Sequence, residues 1–381
     1  MDIPIQPPAR SIGGERPLPR RVDLVLVLAA LGLAAAGLMM VYSATHRSLA
    51  EFGQSPTFFL RKQFLALAVG LVALVVAAAV DYRLFKIYAP FLFLFGVALL
   101  VLVRTPLGSS ALGAQRWFQV AGFQFSPSQF VRLALVVMLS AILAEVKGEI
   151  GLRHLIRVTL VAAIPMLLVF LQPDIGTTII LSFILVSLLV VAGTKVKYLA
   201  VLAVAASIGI FGAFQLHIVK DYQVARVTSF FQSNKDLQAA NYNKQQAEIA
   251  IGAGGIAGRG YLNGTQTNLD FVPQQHTDFI FTVIGEEFGF LGAMGVLLLF
   301  ALLLWRAYRI ALTAKDPFGT FLVVGVATMF AIQVFVNVGM TLGIMPITGI
   351  PLPFLSYGGS ALIADFIGIG LLMNVEMRRF G

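Results

Sequence analysis

Residues 273–287 read PQQHTDFIFTVIGEE. His276, Thr277 and Asp278 set an imidazole that titrates near neutrality, a hydroxyl and a carboxylate side by side, a group suited to moving protons. A strongly apolar run follows at once, and Glu286 and Glu287 close it. If that run is helical, the glutamates lie roughly 12 Å deeper than Asp278, and Glu286 is turned some 80° away from it. The carboxylates therefore do not form one acid pair. Glu286 and Glu287 are expected instead to pair with arginine or to face a cavity. An aspartate just before a helix also suits its N-cap, so residue types alone leave Asp278 as either base or cap.

Other polar groups stand in equally apolar surroundings. Arg132 falls a few residues inside a hydrophobic run, where a charge is costly unless it is paired or faces water. Asp365 is a second such group and is expected to face the interior. Asp174 follows Pro173 at a helix start, where capping competes with a place in a cavity. Trp117 can stack on a sugar or anchor the chain at a membrane interface. The cluster GAGGIAGRG, residues 252–260, lets backbone amides approach an anion, although tight turns are the commoner use of such glycines.

Composition says what must hold these groups. Of 381 residues, 58% are hydrophobic and 12% charged, about half the charged fraction of a soluble domain, and the mean hydropathy is +0.88. The chain reads as an all-α polytopic membrane protein. Ten apolar runs are long enough to span, at 22–44, 62–80, 86–103, 127–145, 155–171, 174–193, 196–216, 279–304, 317–341 and 355–375. Residues 1–21, rich in proline and arginine, read as a disordered cytoplasmic tail with no cleavable signal, and residues 22–381 as one membrane domain. Arg20-Arg21, Arg153, Arg157, Arg306, Arg309 and Arg378-Arg379 then gather on one side, while the short loops opposite keep only Arg47, Arg61, Lys62, Arg104 and Arg116. This bias puts both termini in the cytoplasm, and it accounts for the net charge of +9 without nucleic acid. Three unusual segments fall outside: 104–126, the large extracytoplasmic loop 217–278 between helices 7 and 8, and 343–360. A 60-residue connection is too long for a mere linker. Zero cysteines excludes disulfides and thiolate metal sites.

Four motifs, GAQRW at 113–117, QPDIGTT at 172–178, GTQTNLDFVPQQHTDFIFTVIGEE at 264–287 and NVGMTLGIMPITGIPLPFLSYGGS at 337–360, resemble those of the SEDS family (shape, elongation, division and sporulation proteins). The likeness runs from the first span to the last. The GTQ-x-x-L-D-F-V-P run is more similar to the family's RodA-like elongation branch than to its division branch, although HTDFIF occurs in both. The resemblance implies a peptidoglycan glycosyltransferase that polymerises lipid II during elongation and cell-shape maintenance, at the outer face of the bacterial plasma membrane. Asp278 matches the family's essential aspartate and becomes the general base. Arg132, with Arg226 and Arg259, is expected to hold the donor diphosphate, and Arg116, Trp117, His276, Thr277 and Ser356 to contact substrate. A divalent cation, Mg2+ or Mn2+, is expected to assist, with Asp174 as the one candidate ligand. The implied partners are lipid II, a class B penicillin-binding protein and other membrane proteins of the elongation complex.

The sequence also departs from the family. A glutamate and a lysine usual at the start of the fourth span are here Gln129 and Arg132, and Asn243 and Glu248 stand where glutamine and lysine are common. Intramembrane Arg132, Asp174, Glu286 and Asp365 would also suit a lipid II flippase, and a non-enzymatic scaffold of the elongation complex is a third reading. The absence of a visible internal repeat and the gathering of motifs on one side favour the enzyme.

Overall fold

The computed structural model describes residues 22–111, 114–120, 122–146, 148–215, 238–269 and 271–379. The expected N-terminal tail, and Arg226 with the adjoining part of the long loop, lie outside them. The described chain is mostly helical: α1 (Leu24–Glu51), α2 (Phe58–Ala79), α3 (Tyr82–Leu102), α4 (Pro127–Ala144), α5 (Leu152–Phe170), α6 (Ile175–Val191), α7 (Val196–Gln215), α8 (Gln238–Gly254), α9 (Thr265–Asn268), α10 (Ile280–Thr313), α11 (Pro317–Thr341) and α12 (Gly359–Met377). Eight of these, α1 to α5 and α10 to α12, are long and apolar enough to cross a membrane. Helix α6 and residues 196–209 of α7 are apolar but shorter. The chain is a multi-pass membrane protein.

Helices α4, α11 and α12 form the centre and are mostly buried, while α3, α5 and α10 turn most of their surface outward. Helix α12 packs on α2 and α4, α4 on α3, α6 and α11, and α1 on α10. Aspartates start several helices. Asp23 caps α1 through Leu26 N–H at 3.1 Å and also binds Arg306 of α10 at 2.5 Å. Asp316 caps α11 beside Pro317, a residue that suits the first helical turn because it lacks the N–H that would go unbonded there.

Two features differ from an all-α reading with a simple loop. Segment 104–126 contains a three-stranded antiparallel sheet of β1 (Ser109–Ala111), β2 (Ala114–Val120) and β3 (Phe123–Phe125). Its aromatic-rich strands favour pairing, and Gly122 between β2 and β3 takes φ +80°. The second feature is a break in α10 at Gly289, which has φ +64°. Residues 255–260 enter that break. Phe290 N–H donates to Gly255 C=O at 2.9 Å and Leu291 N–H to Ile256 C=O at 3.1 Å, while Arg259 and Gly260 N–H donate to Glu286 and Glu287 C=O at 3.0 and 2.9 Å. These bonds replace helical ones lost at the break, as a segment at membrane depth requires. A Cβ on Gly258 would stand 2.2 Å from Glu287 C=O, and one on Gly254 1.9 Å from Gly285 C=O. The glycine cluster serves close backbone approach within the protein.

Candidate active site

Arg132, on the first turns of central α4, is fully buried. Its Nη1 donates to Gln333 Oε1 of α11 at 2.7 Å, its Nη2 to Gln129 Oε1 and its Nε to Gln129 C=O at 3.5 Å. It lines a cavity of about 100 Å³ with Arg116 and Trp117 of β2, Asp174 and Thr177 of α6, and the main-chain stretch Gly349–Pro351. Arg116 donates to the carbonyls of Gln172 (2.8 Å) and Pro173 and stands 3.9 Å from Asp174. Asp174 caps α6, accepting from Thr177 N–H at 3.0 Å and Thr177 Oγ1 at 2.9 Å. It is both a cap and a cavity residue. Two guanidiniums against one carboxylate leave the walls positive, which suits an anion.

Asp278 lies half-buried in the turn before α10. The N-cap position of α10 is Phe279, with no side-chain cap bond. Asn337 of α11 holds this turn: its Nδ2 donates to Asp278 C=O at 2.8 Å and to Ile350 C=O in the Arg132 cavity wall at 2.7 Å. On the other side of the turn, His276 and Gln274 join Phe59, Thr45 and Ser48 around a larger cavity of about 320 Å³. The His276 ring packs against Phe59 and Tyr357 at 4.9 and 5.6 Å, and Tyr357 N–H donates to His276 C=O at 2.8 Å. Burial pushes the Tyr357 phenol up, so it stays neutral. Thr277 Oγ1 turns back to Gln274 at 3.2 Å.

Several expected residues sit elsewhere. Ser356 is buried and accepts Leu352 N–H at 2.8 Å, which shapes the 351–356 loop. Arg259 is exposed and braces its own loop through Ala253 C=O at 3.1 Å and Thr265 Oγ1 at 2.7 Å. Neither lines the two cavities. Glu286 and Glu287 make no salt bridge with arginine among the described residues. Glu286 accepts Gln266 N–H (2.8 Å), Thr267 N–H (2.9 Å), Thr267 Oγ1 (2.7 Å) and Thr265 Oγ1 (3.2 Å), and Glu287 accepts Ser43 Oγ of α1. Glu286 is the buried anchor of α9 to α10, because charge-assisted bonds to N–H groups replace a cation.

A family model described as "Cell cycle protein", that of FtsW, RodA and SpoVE, matches residues 23–380. The chain belongs to that family. Among its relatives, the probable peptidoglycan glycosyltransferase FtsW of Geobacter sp. (strain M18) is 35% identical over 94% of this chain and 98% of that protein. Stage V sporulation protein E of Bacillus subtilis is 35% identical over 93% and 96%, and peptidoglycan glycosyltransferase MrdB of Escherichia coli K12 is 35% identical over 94% of each. The rod shape determining protein RodA of Thermus thermophilus superposes with a TM-score of 0.69 at 28% identity, covering 94% of this chain and 98% of RodA. A chain of a peptidoglycan synthase complex that coordinates polymerization and crosslinking superposes at 0.79 with 29% identity, covering 94% and 98%.

The expected SEDS membership therefore holds, and a glycosyltransferase agrees with the relatives' names. Equal identity to FtsW, SpoVE and MrdB does not separate the branches of the family. The candidate site residues leave out Asn337, although the motif at 337–360 begins with it, and Gln333 and Gln63; each is an amide in an apolar span, expected to face inward. Gln63 ties α2 to the 356–358 turn at 3.1 and 3.2 Å. Among the described residues no three His, Cys, Asp or Glu side chains converge on a metal point. Asp174, already bonded to Thr177 and flanked by Arg116, does not make a cation site by itself.

Proposed function

We propose that this chain is a peptidoglycan glycosyltransferase polymerising lipid II, built of ten transmembrane helices with both termini cytoplasmic and its active site on the outer face. The observation that carries this reading is the joining of the Arg116–Arg132 cavity wall to the Asp278 turn through the single side chain of Asn337. Arg132 and Arg116 hold the donor diphosphate. Asp278 takes the proton from the acceptor sugar hydroxyl as its oxygen attacks the donor anomeric carbon. The bond from that carbon to the diphosphate breaks on the opposite face, the configuration inverts, and the lipid diphosphate leaves as an anion against the guanidiniums. The cavity lined by Phe59, Gln274, Gln275 and His276 suits the acceptor sugars. A divalent cation, Mg2+ or Mn2+, would add positive charge at the diphosphate; Asp174 is the one candidate ligand and does not make a site by itself.

The GTQTNLDFVP run favours elongation over division. Likeness to a chain of a synthase complex that coordinates polymerization with crosslinking supports a class B penicillin-binding protein as partner. Purified protein in detergent has no two compartments, so it separates the enzyme from a flippase. With fluorescent lipid II and Mg2+ it yields long glycan chains, and Asp278→Asn reduces them by a factor of about 10² to 10⁴. Chains made equally well by that variant would remove Asp278 from catalysis. No chains from the wild type, even with its penicillin-binding partner, would favour the flippase or scaffold.

A further inference from the structure

Arg132 is completely buried, yet the two side chains that accept its hydrogen bonds among the described residues, Gln129 and Gln333, are neutral amides. A guanidinium removed from water needs a compensating charge or it destabilises the fold. Two carboxylates, Asp365 and Asp174, lie within electrostatic reach of it. Asp174 is engaged by Thr177 and Arg116. Asp365 is 1% exposed. Its Oδ2 accepts Phe354 N–H at 3.3 Å, and its Oδ1 has no hydrogen-bond partner among the described residues.

Depth brings the two together. Helices α4 and α12 pack side by side and start at one level, because Ser126 N–H donates to Ser360 Oγ at 2.9 Å and Ser360 Oγ–H to Gln124 C=O at 3.1 Å. From that stitch Arg132 lies about 9 Å along α4 and Asp365 about 7.5 Å along α12. Both helices run inward from it, so the charges share one layer of the core.

We propose that Asp365 is the counter-charge of Arg132, a positioning residue that keeps the guanidinium in the cavity wall through the field of its otherwise unbonded oxygen. The same carboxylate holds Phe354, at φ +62°, and thereby the loop carrying Gly349–Pro351 on the other side of that cavity. One side chain thus couples the cation to the wall facing it. The proposal rests on Arg132 serving the anion site.

Asp365→Asn keeps an acceptor for Phe354 N–H and removes only the charge. We expect it to raise KM for lipid II about tenfold, within the range for coupled neighbours. Adding Gln129→Glu should restore most of the loss, because the Gln129 oxygen already meets Arg132. A merely structural role would show no such rescue, and an unrescued or unchanged KM overturns the proposal. An unfolding cycle of Asp365→Asn, Arg132→Met and the double variant gives a readout independent of turnover. Non-additive effects support the pair, and additive effects overturn it. Coupling without any polymer product from the wild type would sink the glycosyltransferase reading and leave the pair standing. If Asp365→Asn does not fold, recovery of folding by Gln129→Glu supports the pair and continued failure overturns it.

Discussion

The two cavities beside Asp278 differ in how they are built. The Arg132 cavity is small, lined by charge, and walled by central helices whose polar groups are bonded across the bundle. The Phe59–His276 cavity is about three times larger (320 against 100 Å³), carries no acid or arginine, and is walled by the C-terminal end of α1, the N-terminal end of α2 and loop residues 272–276. A charge held in a rigid, low-dielectric wall acts strongly without reorganising. Rings and amides on looser elements grip a neutral sugar over area instead. Under the proposed function, the first cavity would serve the step in which charge develops, and the second would hold the acceptor.

Substitutions should break this contrast unequally. Arg132→Ala removes a charge from the wall and strands its partners. Turnover with saturating lipid II should fall about 10²- to 10³-fold, as loss of one preorganised electrostatic group does. Full activity would return Arg132 to a structural role and erase the distinction between the cavities. Glu286→Gln should act on the other side. It leaves some of the four donors at α9 unanswered, a cost of about 1–3 kcal/mol, and hydrogen exchange at residues 264–268 should quicken while α4 stays protected. Arg116→Gln spares the buried network, so we expect about tenfold weaker donor binding with kcat nearly unchanged, read by initial rates over a lipid II series. Phe59→Leu should be smallest, raising the apparent KM for acceptor about 2- to 10-fold, the scale of one aromatic contact. A change of kcat instead would place Phe59 at the reacting centre.

The glycine cluster and the glutamates show why the site was only partly legible. GAGGIAGRG reads as tight turns or, less commonly, an anion cradle, because nothing local to it reveals that α10 breaks at Gly289 to receive it. Glu286 reads as half of an ion pair or as a cavity residue, because its partners are backbone N–H and threonine groups about twenty residues earlier, invisible to any pattern of charged side chains. Arg132 was legible as a candidate from its cost in an apolar segment, whereas its actual partners were not.

Hydropathy alone establishes the membrane class and most of the helical segments, and charge bias supplies the expected sidedness. A spanning helix satisfies its backbone within one segment, so its signal is local. The motif around Asp278 is likewise contiguous, and it marks the catalytic candidate without any contact being known. Only the tertiary structure decides which polar groups meet. Arg132 reaches Gln333 across 201 positions, Ser43 reaches Glu287 across 244, and Asp365 lies level with Arg132 only because α12 returns beside α4. Those encounters depend on the packing of several helices at once, and no local period in the chain encodes them.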